Sequence, residues 1–419
     1  MRKSVIIPCL FGLICLSAAV AVADAQARRL PLQTYRDKMR AAWIGQMAGV
    51  GWGAPTEFRY CGRIIPADQM PPWKPEMINQ HGNDDCYVEM TFLKTLVEGG
   101  LDVDIRRAGL DFANSGYPLW HANQFGRENL RRGIAPPDSG HPQFNKHADD
   151  IDYQIESDFA GIISPGLPNQ AVALGEVFGR LMNYGDGVYA GQFVAAMYSA
   201  AYFESDPAKL AQEALRSIPP DCQYAEMVRD LLRWHRDEPD DWKKTWQLVE
   251  DKYHKDPNYT HGLCSKPGGV NAMSIDAKLN GAYILMGLLH GKGDPDRTIL
   301  ISCRCGQDSD CNPSNAAGIL FTVMGAKNIP PKFTEKLDLN AKFSHVDYTL
   351  SDVYDVCEKL ALAGVLKAGG RLETDDDGEE VLLIPVQTPK LSKLMKSYDP
   401  EPSANSRFSD EEMSRIKTP

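Results

Sequence analysis

Two short segments, more than two hundred residues apart, hold side chains whose types and spacing suit chemistry. The first is His81-Gly-Asn-Asp-Asp-Cys-Tyr-Val-Glu89. Asp84 and Asp85 follow a glycine and precede a helical run, which puts them at a helix N-terminus. A carboxylate there accepts free backbone N–H groups and favours the helix dipole. One aspartate suffices for a cap, so the second has another job, and Asp85 shares a helix face with Glu89. The second segment is Cys305-Gly-Gln-Asp-Ser-Asp-Cys-Asn-Pro-Ser314, ahead of the small-residue run Asn315-Ala-Ala-Gly-Ile-Leu. Asp308-x-Asp310 at a loop-to-helix junction offers oxygen ligands to a hard cation such as Mg²⁺, Mn²⁺ or Ca²⁺. Asp-x-Asp alone is common in loops, so its weight comes from the first segment. Carboxylates drawn within ~4 Å of one another repel by several kcal/mol per pair at an effective dielectric of about 20, unless cations neutralise them.

Helices must position these groups. Tyr35, Met39, Trp43 and Met47 recur near helical spacing over residues 32–53. Gly45, Gly49 and Gly53 form a stripe on that helix. Each costs ~0.5–1 kcal/mol relative to alanine, so something must pack close to the backbone there. A Pro-rich loop follows, and Val88, Thr91, Phe92, Thr95 and Leu96 resume a helix over 85–97. Residues 114–150 are polar and loop-rich, which inside a helical body points to function. Helical patterns return over 170–182, 192–203, 207–217, 224–236, 242–252 and 277–289, and again after Asn312. The fold class is therefore all-α. Beyond residue 345 come a helix over 350–366 and two strand-like runs, 371–374 and 380–385, around Asp375-Asp-Asp-Gly, which reads as a β-hairpin. The last residues, 398–419, are polar and expected to be disordered.

At the N-terminus Arg2 and Lys3 precede an apolar run and the small residues Ala23, Ala25 and Ala27. That pattern reads as a signal peptide over residues 1–27, cut after Ala25 or Ala27. An uncleaved anchor helix is the alternative, and Pro8 weighs against it. The expected divisions are 1–27, a helical domain over 32–345, an extension of helix and hairpin over 346–397, and the tail. The protein is expected to be secreted or periplasmic, with no membrane attachment after cleavage. A net charge of −11, from 45 basic and 56 acidic residues, argues against a nucleic-acid partner, whose phosphates need basic side chains. Ten cysteines, two of them in the signal, do not make a disulfide scaffold in so long a chain. Cys303, Cys305 and Cys311 lack the spacing of a structural zinc site, and no G-x-S-x-G elbow occurs. Asp149, Asp150, Asp152 and Glu156 read as a solvated acidic face, and His81, His121, His141 and His147 as loop histidines.

Taken in order, Gly45-x-x-x-Gly49-x-x-x-Gly53-Ala-Pro-x-Glu57, Gly82-Asn-Asp-Asp85 and Gly306-Gln-Asp-Ser-Asp310-Cys-Asn resemble the signature of the ADP-ribosylglycohydrolase-like family. The resemblance spans about residues 35–330. It implies an all-α fold, two divalent cations (Mg²⁺, with Mn²⁺ as the other choice) and hydrolysis at the anomeric carbon of a ribose. It also implies metal ligation by Asn83, Asp84, Asp85, Asp308, Asp310 and the position of Cys311, with Asp85 and Glu57 in catalysis. Asp158 and Gly161, in the segment 156–166, and Asp186 fall where the family binds substrate.

Departures shape the expected activity. Asn83 stands for a threonine and keeps an oxygen ligand. Cys311 stands for a serine or threonine, and a thiol is a poor ligand for a hard cation. Residues 156–166 lack the family's arginine, and residues 183–186 lack its histidine. The expectation is a metal-dependent hydrolase of an N- or O-glycosidic bond of a ribose-like sugar, on a small-molecule or glycan substrate outside the cell. The alternatives are a non-catalytic carbohydrate- or nucleotide-binding member of the fold, and a metal-free carboxylate-pair glycosidase, which leaves Asp84 beside Asp85 unexplained.

Overall fold

The computed structural model describes residues 27–257 and 268–417. The body is helical, and the described residues contain one sheet of three strands. A helix over Leu32–Gly53 runs through the centre, buried without interruption from Ala41 to Gly53. Helices buried on every face join it: Asp186–Ala201 and Ala277–Gly291 in full, and Cys311–Met324 over most of its length. Helices apolar all round belong in a core rather than at a surface. Large side chains such as Trp43, Tyr189 and Tyr283 fill the spaces between them, each fully buried, and each such side chain adds about 1.5–3 kcal/mol of hydrophobic stabilisation.

The glycine stripe has the close neighbour that its cost implied. The first helix lies antiparallel to the Cys311–Met324 helix and the turn before it. A β-carbon at Gly45 would overlap the carbonyl of Ala317, at Gly49 that of Pro313, and at Gly53 that of Ser309. Three contacts, each four residues apart on both partners, fix the axial register of the two segments. The last contact falls on Ser309, between Asp308 and Asp310, so this packing sets the height of the Asp-x-Asp loop.

Arg371–Thr374 (β2) and Glu380–Pro385 (β3) pair antiparallel around the Asp375–Gly378 turn. A third strand was not expected. Ala27–Pro31 (β1) pairs with the other edge of β3, Ala27 opposite Pro385 and Pro31 opposite Val381. β1 is too short and too basic to signal a strand alone; the buried run Val381–Ile384 on β3 supplies the partner. The signal-peptide reading falls outside the described residues except for Ala27.

Residues 398–417, expected to be disordered, lie against the body. Asp138, 1% exposed, accepts the backbone N–H groups of Ala404 and Ser406 at 2.9 and 2.8 Å. Arg106 pairs with Glu412, and Asn114 accepts from the N–H of Lys417. Buried side-chain acceptors order this polar segment, which its composition does not reveal. All described cysteines are free and buried. Among the described residues no helix is long and apolar enough to cross a membrane.

Candidate active site and metal centre

The helix Asp84–Gly99 is capped by Asn83, whose Oδ1 accepts the N–H of Asp85 at 3.0 Å. The cap expected of an aspartate is thus made by its neighbour, and the carboxylates of Asp84 and Asp85 remain for other partners. Asp85 is fully buried, and neither of its oxygens has a hydrogen-bond partner. Such a group is costly unless something compensates it.

The second segment meets this one directly: Asn83 Nδ2 donates to Asp310 Oδ2 at 3.4 Å. Asp308 Oδ1 accepts the N–H of Cys311 at 3.2 Å. The ligand atoms of Asp308, Asp310 and Cys311 lie within 4.8 Å of one another. Gln307, at φ +56°, turns the chain sharply before them. Its backbone accepts from Phe58 N and donates to Tyr60 O, and its side chain accepts from Ser274 N. Thr56 and Ser309 share a hydroxyl bond of 2.9 Å. Glu57, between Thr56 and Phe58, is therefore held over the Asp-x-Asp loop.

Electrostatics agree with a site short of positive charge. Burial pushes the Asp308 carboxyl up to about 7. Partial burial, with the charges of Asp310 and Asp84, pushes Glu57 up to about 7 as well. Asp85 and Asp310 rise well above the ordinary carboxylate range, first by burial and then through neighbouring aspartates. Converging oxygens with two orphaned in Asp85 are a donor set that fits a hard divalent cation. Cys311 fits it poorly: a thiol is a soft donor, and burial with the carboxylates of Asp308 and Asp310 pushes its titration up.

A cleft of about 400 Å³ opens on this floor. Glu57, Asn83, Asp84, Asp308, Asp310 and Cys311 line it from the expected set. Asp85 lies behind them. A second wall comes from residues that the sequence pattern did not mark: Trp120, His121, Ile151, Asp152 and Ile155, with Phe58, Tyr87 and Met273 at the sides. Among the described residues no lysine or arginine lines the cleft. Asp149, Asp150, Asp152 and Glu156 are not a solvated face; all four are buried. Asp150 takes N–H groups from Ala122, Asp152 and the Asn183 amide. The available signal was the interleaving of these acids with Ile151, Tyr153 and Ile155 without a basic residue among them.

The three residues expected to bind substrate do not line the cleft. Asp158 is fully buried and accepts from Tyr198 Oη at 2.8 Å and Asn315 Nδ2 at 2.7 Å. Gly161 lies against the Ala195 carbonyl and the Tyr198 side chain. Asp186 accepts the N–H of Tyr224 at 2.8 Å, near the buried Lys278 that pairs with Asp276. These side chains join helices beneath the site. Local position in the motif did not show that Tyr198, Asn315 and Tyr224 would cover them.

The ADP-ribosylglycohydrolase family model matches residues 31–368. A solved structure titled ADP-ribosylglycohydrolase-related protein complex is similar at 14% identity, over 79% of this chain and 98% of that one, with a TM-score of 0.47. No curated protein matches. With four-fifths of its length under one family model, this chain belongs to the ADP-ribosylglycohydrolase family, whose members are glycohydrolases.

Proposed function

We propose that this protein is an exported, metal-dependent glycoside hydrolase that cleaves an N- or O-glycosidic bond at the anomeric carbon of a neutral, ribose-like sugar. The observation that carries the substrate class is the cleft lining: carboxylates on the floor, Trp120, Tyr87 and Phe58 on its walls and sides, and no lysine or arginine among the described residues. A pyrophosphate is held by arginine forks or lysine charges. A sugar instead presents hydroxyls to carboxylates and an apolar C–H face to aromatic rings. Export rests on the charge and apolarity pattern of the first 27 residues.

Asp84, Asp85, Asp308, Asp310 and the Asn83 amide would hold two divalent cations, Mg²⁺ or Mn²⁺. Bound there, such cations orient sugar hydroxyls, supply an activated water and offset the charge of the floor. The Cys311 thiol would offer such a cation no oxygen ligand. Glu57, with a carboxyl near neutrality, takes the proton of the attacking water as the anomeric carbon becomes oxocarbenium-like. The hydrophobic wall of Ile151 and Ile155 keeps bulk water from that carbon.

The test is kcat/KM for an ADP-ribosyl conjugate against a panel of ribosides and arabinosides, in wild type and Asp310→Asn. The neutral glycosides should be the better substrates, and the variant should lose their turnover while keeping its fold. Fast release of ADP-ribose that disappears in the variant would overturn the substrate class. Tight binding of a glycoside without turnover would point to the non-catalytic member of the fold.

A further inference from the structure

The wall that carries Trp120 and His121 holds a carboxyl outside the cation-binding set. Asp152 is 5% exposed, on the cleft. Its Oδ2 accepts the N–H of Asn123 at 2.5 Å, in the first turn of the His121–Arg131 helix. Its Oδ1 has no hydrogen-bond partner among the described residues. The same Asn123 donates its side-chain amide to Glu156, one turn further along, and so orients both acids. Asp150 is different, because hydrogen bonds already engage both of its oxygens. His121, Asp150 and Asp152 place their ligand atoms within 4.8 Å of one another. With Asp150 already satisfied, what that group presents to the cleft is one carboxyl beside one imidazole.

The charged and titratable groups around Asp152 are Asp150 on its own segment, Glu156 on the next turn, Asp84 and Asp308 on the floor and His121 on the facing helix start. All but the imidazole are acids. Burial and Asp150 raise the Asp152 carboxyl well above the ordinary range, and burial lowers the His121 imidazole. The two largest causes of that rise, burial and Asp150, belong to the wall itself.

The geometry points to Asp152 as the general acid that protonates the leaving group, from a wall separate from the floor that holds the cations and the water. It rests on the hydrolase reading above. The Asp152 proton passes to the glycosidic oxygen as the bond from the anomeric carbon breaks and its electron pair moves to that oxygen. Water adds to the anomeric carbon and gives its proton to Glu57. The products are a free sugar and an alcohol. Exchange with solvent then returns a proton to Asp152 and takes one from Glu57.

A general acid matters in proportion to how badly the leaving group needs its proton. The test uses Asp152→Asn, which keeps the shape, on two furanosides of one glycone: a 4-nitrophenyl glycoside, which departs as the anion, and a methyl glycoside, which cannot. Calorimetric titration with Mg²⁺ runs alongside. The expected result is a loss of roughly 10²–10⁴-fold in kcat/KM on the methyl glycoside, a far smaller loss on the 4-nitrophenyl glycoside, and unchanged Mg²⁺ affinity. Equal losses on both substrates would overturn the assignment. So would loss of Mg²⁺ binding, which would place Asp152 among the ligands. Wild-type protein inactive on every glycoside would instead remove the hydrolase reading itself, before any variant is made, and this assignment with it.

Discussion

The side-chain amide of Asn83 donates to Oδ2 of Asp310 over 3.4 Å, joining two segments 227 residues apart. That bond, together with the Asn83 cap on Asp85 N–H, makes one asparagine both the end of a helix and the seam of the acidic floor. The surrounding packing, rather than attraction among the acids, must hold the floor together, since its carboxylates repel one another.

Gly49→Ala tests that packing. Its β-carbon would overlap the Pro313 carbonyl, and backbone on both sides leaves no flexible side chain to give way. Overpacking of this kind costs about 1–3 kcal/mol or more, seen as a lower urea midpoint. Gly116→Ala, with open space around its β-carbon, should leave the midpoint where it was. Equal behaviour of the two would refute the steric account.

Asp85→Asn should have opposite effects with and without metal. The wild-type carboxyl is buried with both oxygens unpartnered, so in chelator the amide variant should melt at or above the wild-type temperature. Added Mg²⁺ should raise the wild-type Tm, as a ligand at a hundredfold its Kd adds about 2.7 kcal/mol, and should move the variant little. An equal Mg²⁺ shift in both proteins would take Asp85 out of the ligand set.

Stability of the cation-free protein should fall as pH rises. Asp308 has a folded value of about 7 against an ordinary 3.8, and Glu57 about 7 against 4.5. Between those limits the unfolded chain has released protons that the folded one retains, so unfolding is favoured with each step upward. The contribution is complete near pH 4 and is lost by about pH 7. Thermal melts in chelator across that window should show the decline, and saturating Mg²⁺ should flatten or reverse it. A chelated protein that gains stability over the same window would contradict the raised values.

Removing residues 400–419 should strand Asp138. Its carboxylate would lose the Ala404 and Ser406 N–H groups, and a hydrogen bond to a charged group contributes about 1.5–3 kcal/mol. The shortened protein should show a lower Tm and faster proteolysis between residues 114 and 150. Unchanged melting would mean that the C-terminal segment rests on the body without supporting it.

The floor was legible in the sequence because its geometry is local. Asp84-Asp85 and Asp308-x-Asp310 each sit at a helix start, and the glycine stripe announced the close helix that fixes the height of the second. The second wall was not legible. Asp152 and Glu156 are buried because Asn123, some thirty residues earlier, turns its N–H and amide toward them, and no spacing rule encodes such a distant donor. Asp158 and Asp186 failed the other way: acids at family positions proved to be covered by Tyr198, Asn315 and Tyr224. The tail was misread because low hydrophobicity signals disorder only where no buried acceptor waits for its N–H groups, and Asp138 does.

The antiparallel ladder of Gly45, Gly49 and Gly53 against Ala317, Pro313 and Ser309 also bears on how this cleft can diversify. A floor mortised backbone to backbone admits almost no substitution without shifting the Asp-x-Asp loop, so descendants of this chain inherit it whole. The wall of Trp120, Ile151 and Ile155 hangs on side chains and loops, where one replacement reshapes the cleft and leaves the acidic floor in place. New specificities in this lineage should therefore be written on the wall, over an unchanged floor.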